Sequence, residues 1–316
     1  MKTTAKTGTK QHDLYQQVTD YVIAELGKGN VVWQKGWHSY GLPKNIISGH
    51  RYRGWNVFWL NFLTIKQEYA TPYFITFKQA QEAGGHIKKG EKGIHIIFWA
   101  AIEDKTKMVT IRDASGQDKE IHPMFRVPKQ HIVFNIDQTE GIVFPETQIN
   151  LLSEEQRLEQ CETIIRNMPQ CPVIQHRGSE AFYQPSADTV TMPLFGLFHT
   201  EAEYYTTLFH ELAHSTGHAS RLNRKEITEP SRFGSEPYSR EELTAELTAA
   251  FLCAVCGIGQ QTIINSIAYL DGWLDALRND KTLILKASTQ AQAAADFILS
   301  EKDLPQEQAQ QNELAA

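Results

Sequence analysis

The chain opens with apolar residues at helical spacing and then changes to short apolar stretches. The helical positions are Leu14, Val18, Tyr21, Val22 and Leu26. Their spacing predicts an amphipathic helix that ends at Gly27. From residue 30 to about residue 140, aromatic and β-branched stretches are broken by glycine and proline, which favours strands. The first half is therefore predicted to be an α+β domain with a curved sheet.

The second half returns to helical patterns, with a small sheet between them. Three pairs resemble capping boxes: Ser153 with Gln156, Thr200 with Glu203, and Ser239 with Glu242. Helices are predicted from these pairs to about Asn167, Gly217 and Gly257, and over residues 262–278 and 281–299. Short strands are predicted near 172–175, 181–184 and 189–193. The fold class is therefore α+β in both halves.

A loop around residues 141–152 separates the two patterns and is the expected domain boundary. The predicted domains are residues 1–145 and 150–300, since 316 residues are enough for two domains. The polar, glutamine-rich tail at 301–316 is predicted to be disordered.

Composition and charge narrow the location and the partners. The first residues lack an apolar signal region, and no later window is long and apolar enough to span a membrane, so a cytoplasmic protein with no membrane partner is expected. The net charge is −6. Residues 1–140 nevertheless carry 19 Lys and Arg against 13 Asp and Glu, while the remainder carries 12 against 24. Such asymmetry suggests that the first half faces nucleic acid.

The stretch "FHELAHSTGHASRL" carries the clearest chemistry. His210 and His214 stand four residues apart and therefore share one helical face, so both can bind one ion. Glu211 lies beside them as a general base. This HExxH arrangement is typical of zinc metallopeptidases, with another divalent ion such as Mn²⁺ as the alternative.

A catalytic zinc needs a third protein ligand. His218 lies too early for the spacing of metzincins, so the expected ligand is a carboxylate from the helix around "SREELTAELTAAFL". Glu246 is favoured because it lies mid-helix among small apolar residues, where a carboxylate needs a partner. Glu242 is assigned to the capping box with Ser239; it and His218 remain alternatives.

This ligand set predicts metal-assisted hydrolysis of a peptide bond. The ion would activate a water molecule and polarise the scissile carbonyl, and Glu211 would transfer the proton to the leaving amine. Tyr238 or His218 are candidates to stabilise the oxyanion.

Two basic clusters in the first half suggest a nucleic-acid surface. In "SGHRYRGWN", cations alternate with rings: Arg51, Tyr52, Arg53 and Trp55. The loop "GGHIKKGEKG" adds Lys88, Lys89 and Lys92. Cations flanking stacking platforms favour sequence-tolerant binding of single strands. A solvated basic loop over an ordinary aromatic core is the alternative.

Taken together, these segments resemble one protein family over nearly the whole chain, to about residue 299. The matching elements are "YRGWNVFWL", "KKGEKGIHIIFW", "MFRVPKQHIVFNIDQTEG", "FYQPSADTVTMP", "YYTTLFHELAHSTGHASRLNR" and "YSREELTAELTAAFL". They are similar to the ArdC-type antirestriction proteins of conjugative plasmids. Trp55 departs from the family pattern, in which a smaller apolar residue is expected.

The resemblance implies an N-terminal domain that binds single-stranded DNA and a C-terminal zincin-like metallopeptidase domain. It implies protection of incoming plasmid DNA from host restriction during conjugation. It places the metal on His210, His214 and Glu246, with Glu211 as base. The protein substrate is unknown, with a host restriction component as one candidate. The alternative is a non-enzymatic single-strand binder whose metal is structural.

Overall fold

The computed structural model describes residues 14–29, 31, 41–112, 117–144, 152–229, 232, 235–259 and 267–301. The described residues form two compact units. The helical unit takes those up to Pro43, Tyr52–Glu68, and those between Gln148 and Asp303. The sheet unit takes Lys44–Arg51 and those between Tyr69 and Thr147. Both mix helices and strands, so the predicted α+β class is confirmed.

The elements of the described residues follow in chain order. The helices are α1 (Leu14–Leu26), α2 (Trp55–Lys66), α3 (Phe77–Glu82), α4 (Glu154–Asn167), α5 (Glu201–Thr216), α6 (Lys225–Thr228), α7 (Glu236–Cys256), α8 (Ile267–Asn279) and α9 (Leu283–Ile298). The strands are β1 (Lys44–Asn45), β2 (Tyr73–Ile75), β3 (His86–Ile87), β4 (Ile94–Glu103), β5 (Val109–Arg112), β6 (Asp118–Ile121), β7 (Met124–Asn135), β8 (Thr139–Glu140), β9 (Val173–His176), β10 (Phe182–Gln184) and β11 (Thr189–Met192).

The sheet unit is organised around four strands in the order β1-β2-β7-β4. Strand β1 runs parallel to β2, and the other neighbours are antiparallel. The long ribbon of β4 and β7 keeps one register from Ile94↔Val133 to Glu103↔Met124. Ile94 and Val133 therefore point to the same face, and both are buried. Helix α3 packs beside this ribbon and begins with a capping box at Thr76.

The helical unit contains a three-stranded sheet in the order β10-β11-β9 and a set of packed helices. The predicted strands at 172–175, 181–184 and 189–193 are confirmed as β9, β10 and β11. Helix α7 lies at the centre and packs against α5 and α9. It is buried on most sides because small and aliphatic residues surround its axis, among them Leu243, Leu247 and Leu252.

The segment Trp55–Lys66 differs from its prediction, because it forms helix α2 instead of a strand. Aromatic residues favour strands in general, but packing overrides that preference here. The buried positions Val57, Leu60, Asn61 and Thr64 recur at helical spacing. Phe58 of α2 meets Phe251 of α7 edge to face, with ring centroids 4.6 Å apart. Burial of this face therefore selects the helix.

Helices from the first half belong to the helical unit, and the division predicted at residues 145–150 stays a prediction. Thr19 of α1 donates a 2.7 Å hydrogen bond to the carbonyl of Lys281. The amide of Gly54 donates a 2.9 Å hydrogen bond to Gln292 of α9. The predicted boundary loop from residue 145 to 151, and all but the first residue of the predicted tail, lie outside the described residues.

Helix α7 starts earlier than predicted. Its N-cap is Ser235 and Pro237 lies in its first turn, a position that suits proline because the first amides have no partner in the helix. Ser239 is therefore inside the helix and buried, and the predicted capping box with Glu242 is wrong. The shift places Glu242 in the body of the helix. No helix among the described residues is long and apolar enough to cross a membrane.

Candidate metal centre

Helix α5 holds the two histidines of the HExxH stretch. As predicted, Thr200 caps the helix by accepting a hydrogen bond from the amide of Glu203, and the last helical residue is Thr216. The four-residue spacing puts His210 and His214 on one face, with ring centroids 4.7 Å apart. His210 is buried and His214 nearly so. The helix thus presents two imidazoles in a protected position.

The two imidazoles converge on Glu242 of α7. Their Nε2 atoms lie 3.1 Å from each other. The carboxylate of Glu242 lies 3.4 Å from Nε2 of His210 and 3.7 Å from Nε2 of His214. Among the described residues, these three side chains form the group whose ligand atoms are close enough to hold one ion.

Two further carboxylates of α7 face the opposite edges of the same imidazoles. Glu241 lies 3.1 Å from Nδ1 of His214, and Glu246 lies 3.5 Å from Nδ1 of His210. An ionised carboxylate only accepts hydrogen bonds, so the shorter contact, with Glu241, favours a proton on Nδ1 of His214. The Nε2 atom of His214 is then an acceptor that faces Nε2 of His210.

This arrangement fits a divalent cation. Two imidazole nitrogens 3.1 Å apart need a proton or a cation between them, and a divalent ion would take the place of that proton. Nitrogens that bind one tetrahedral zinc ion lie roughly 3.3 Å apart, given Zn–N distances of about 2.0–2.1 Å. Two neutral imidazoles and one carboxylate also match the His₂Glu donor set of catalytic zinc sites, which leave one position open.

The third ligand predicted from the sequence was Glu246, whereas the carboxylate that the structure brings to both Nε2 atoms is that of Glu242. Glu246 is almost completely buried, as expected, but its carboxylate lies on the Nδ1 side of His210. One helical turn earlier, Glu242 occupies the Nε2 side of both histidines. The sequence argument missed Glu242 because it assigned this residue to a capping box. Pro237 was the available signal for the earlier helix start.

The histidines and carboxylates of the centre shift one another's pKa values. Burial alone would lower the pKa of His210, but Glu242, Glu246 and Glu211 together raise this pKa well above its ordinary value. Burial would raise the pKa of Glu242, yet His214 and His210 lower it to about 2. These carboxylates therefore favour a protonated His210, and a bound cation would replace that proton.

The remaining predicted residues lie around this group. Glu211, the predicted base, is buried on α5 next to His210. Tyr238, in the first turn of α7, hydrogen-bonds to Glu242. His218 lies beyond the end of α5, and its Nδ1 is 2.8 Å from the hydroxyl of Ser220. Neither Tyr238 nor His218 belongs to the group of ligand atoms.

The structure separates the predicted nucleic-acid residues. The rings of Tyr52 and Trp55 are both 5% exposed, which leaves little surface for a base to stack on. Arg53 forms an ion pair with Asp296 of α9. Trp55 stacks on Trp59, with centroids 6.2 Å apart. These residues therefore contribute to the packing of the helical unit.

Four predicted cations of the sheet unit are at the surface. Arg51, Lys88, Lys89 and Lys92 are all exposed. Lys88 donates a 2.7 Å hydrogen bond to the carbonyl of Asp137, which orders its loop. Exposed cations of this kind are available to phosphates.

Two family models match the chain. The N-terminal domain of anti-restriction factor ArdC matches residues 12–134, and a zincin-like metallopeptidase matches residues 159–290. Among solved structures, the metal-free antirestriction ArdC protein from plasmid R388 is 35% identical, with a TM-score of 0.69 over 90% of this chain and 96% of that chain. The chain belongs to the ArdC family of antirestriction proteins.

The chain also matches a metal-bound structure of the R388 protein, a protein of similar length and part of a longer primase. The R388 ArdC protein has also been solved with Mn(II) bound, and this chain matches that structure with a TM-score of 0.71 at 34% identity, over 91% of this chain and 97% of that one. Protein y4eC of Sinorhizobium fredii is 33% identical over 99% of this chain and 98% of its own length. DNA primase TraC of Escherichia coli is 33% identical over 94% of this chain, which spans only 28% of the primase.

Proposed function

We propose that this ArdC-family protein binds single-stranded DNA and hydrolyses a protein substrate at a divalent metal centre held by His210, His214 and Glu242. The observation that carries the proposal is the convergence of both Nε2 atoms on Glu242, while other carboxylates occupy both Nδ1 atoms. Zinc is the proposed ion because the donor set is that of catalytic zinc. Manganese, which the R388 relative holds, is the alternative.

The residues around the centre support a hydrolytic role. When bound, the ion supplies Lewis acidity toward a scissile carbonyl and toward a water molecule. Glu211 is placed to accept the proton of that water and to deliver it to the leaving amine. Its burial beside His210 keeps the carboxylate away from bulk solvent. Tyr238 supports Glu242 through its hydrogen bond, and Tyr238 and His218 stay the candidates to stabilise the oxyanion.

The DNA-binding half of the proposal rests on the family and on surface charge. The model of the ArdC N-terminal domain covers residues 12–134. Arg51, Lys89 and Lys92 are exposed cations within that range. We infer that they contact the phosphates of a single strand entering the recipient cell during conjugation. A protein bound to that strand can remove a host restriction component nearby, which is the proposed protein substrate.

The decisive experiment compares the wild-type protein with Glu211→Gln in plasmid transfer into restricting recipients. The variant should bind metal and single-stranded DNA as the wild type does, because the ligands and surface cations are unchanged. Hydrolysis and protection should both be lost. Glu236→Gln is the matched control, since that exposed glutamate starts α7 away from the centre. Full protection by Glu211→Gln would favour a non-enzymatic single-strand binder with a structural metal.

A further inference from the structure

The sequence continues past the HExxH helix with "GHASRLNR", and the metal centre uses none of these residues as ligands. Arg224 closes this segment and is 6% exposed. A buried guanidinium needs several acceptors, because an unpaired buried charge is strongly destabilising. The acceptors around Arg224 therefore show what the segment does.

Arg224 joins the two helices that carry the metal centre. Its Nε and Nη2 donate to the two carboxylate oxygens of Glu241 on α7, at 2.9 and 2.6 Å. Nη1 donates to the hydroxyl of Thr216 at 2.6 Å, and Nη2 donates to the carbonyl of Ala213 at 2.8 Å. Thr216 and Ala213 belong to the last turn of α5. A planar guanidinium that binds both helices fixes their spacing at the end where His214 lies.

The same contacts fix the imidazole of His214. Glu241 accepts both Arg224 and Nδ1 of His214 on one oxygen, Oε1. Because Arg224 holds the carboxylate at two points, Glu241 cannot turn away from the ring. Nδ1 therefore keeps the proton, and Nε2 of His214 is left bare toward Glu242.

Gly217 is explained by the close approach of Ile227 and Arg224. Its φ is negative and its backbone is helical, so the glycine is not needed for the turn itself. A Cβ at this position would lie 3.0 Å from Nη2 of Arg224 and 2.6 Å from Cγ1 of Ile227. The glycine after the second histidine thus leaves space for the isoleucine and for the arginine.

We propose that Arg224 is a positioning residue of the metal centre, which acts through Glu241 to fix the ring nitrogen that His214 offers to the ion. The inference rests on the proposed metal centre. It assigns a role to the arginine and the glycine that follow the HExxH helix. Arg224 itself touches neither the ion nor the substrate.

The test uses the full chain with zinc alone as the probe. Zinc affinity is measured by competition with a chromophoric chelator for the wild type, Arg224→Met, Arg224→Lys and Arg240→Met. Arg240 is the matched control, because it is an arginine of α7 that pairs with Glu226 and Glu236 instead of with Glu241. Loss of the partner of a ligand typically costs 10–100-fold in metal affinity. Arg224→Met should therefore weaken zinc binding by about tenfold or more.

The other variants make the result specific. Arg224→Lys should recover part of the affinity, since it keeps the charge but not the two-point contact. Arg240→Met should bind zinc as the wild type does. ¹⁵N spectra of the imidazoles should show Nδ1–H of His214 in the wild type and a mixture of ring forms in Arg224→Met, a change that loosened packing alone does not produce.

The outcomes separate this inference from the metal centre. Unchanged zinc affinity in folded Arg224→Met, or equal weakening in Arg240→Met, would overturn the positioning role. If Arg224→Met does not fold, wild-type affinity and wild-type ring protonation in Arg224→Lys would overturn it as well. Absence of zinc binding by the wild-type protein would overturn the metal centre itself.

Discussion

His210 and His214 lie on one face of one helix, whereas Arg51, Arg53 and Trp55 alternate along an irregular segment that leads into another helix. The histidines stay together because the helical period alone brings them together. In the second segment, Trp55 is buried, Arg53 forms an ion pair, and Arg51 lies at the surface. A run of chemically suitable residues therefore predicts a site well only when a single regular element fixes its geometry.

The comparison is tested most strongly by removing Trp55. If Trp55 is a core residue, Trp55→Ala should lower the free energy of unfolding by about 3–5 kcal/mol. Its ring is almost completely buried and packs against Trp59 and Phe58. Chemical denaturation of both proteins measures the change.

The control for this loss is Phe77→Ala, because that ring is 52% exposed. A surface change of this kind should alter stability by no more than about 0.5 kcal/mol. An unchanged unfolding curve for Trp55→Ala, combined with a large loss of affinity for single-stranded oligonucleotide, would show that Trp55 contacts DNA instead.

The metal centre is tested next by separating its two mid-helix carboxylates. Glu242→Ala removes the carboxylate on the Nε2 side and should weaken zinc binding by more than about a hundredfold, because a ligand is lost. Glu246→Ala removes the carboxylate behind His210 and should cost about 10–100-fold. Competition with a chelator measures both affinities. The reverse order would make Glu246 the ligand that the sequence suggested.

The sequence predicted the helices of this centre better than their first residues and the carboxylate that meets the histidines. Capping pairs located α4 and α5 correctly, because Ser153 and Thr200 are the residues that cap them. At α7 the same reasoning chose Ser239 over Ser235, and a four-residue shift exchanged the roles of Glu242 and Glu246. Glu242 and Glu246 share one face of α7, so which of them meets the histidines depends on how far one helix is displaced along the other. That displacement is set by contacts distant in sequence, such as the pairing of Arg224 with Glu241.

The stability that the ion pair of Asp188 with Arg221 contributes to the helical unit should depend on pH. Arg221, fully buried, donates to both oxygens of Asp188 at 2.8 Å, and this hydrogen bonding lowers the pKa of Asp188 below its ordinary value. A carboxyl with a lowered folded-state pKa contributes its full stability above its unfolded pKa of about 3.9, and the contribution is lost as the pH falls through the folded value. The free energy of unfolding of the wild type should exceed that of Asp188→Asn by about 1 kcal/mol at pH 7. The difference is small because the carboxylate is partly exposed.

That advantage should shrink below about pH 4. Urea unfolding of both proteins at several pH values measures the difference. Asp275→Asn, at an exposed pair with Arg278, should show almost no difference at any pH. An advantage of the wild type over Asp188→Asn that persists unchanged at pH 3 would contradict the pairing.

The smallest expected effect concerns the exposed cations, and it tests whether a site without fixed geometry still binds. The double change Lys89→Ala and Lys92→Ala should weaken binding of a single-stranded oligonucleotide severalfold. If both lysines contact phosphates, the slope of log affinity against log salt should become shallower by about 1.4, at about 0.7 per contact. Lys78→Ala is the control, because this exposed lysine pairs with Glu82 at 3.7 Å. An unchanged slope would mean that the strand follows another surface.

Lys89→Arg with Lys92→Arg should retain both the affinity and the slope, because each contact acts through charge alone. The exchange of arginine for lysine at position 224 differs, because there the geometry of the guanidinium decides the result.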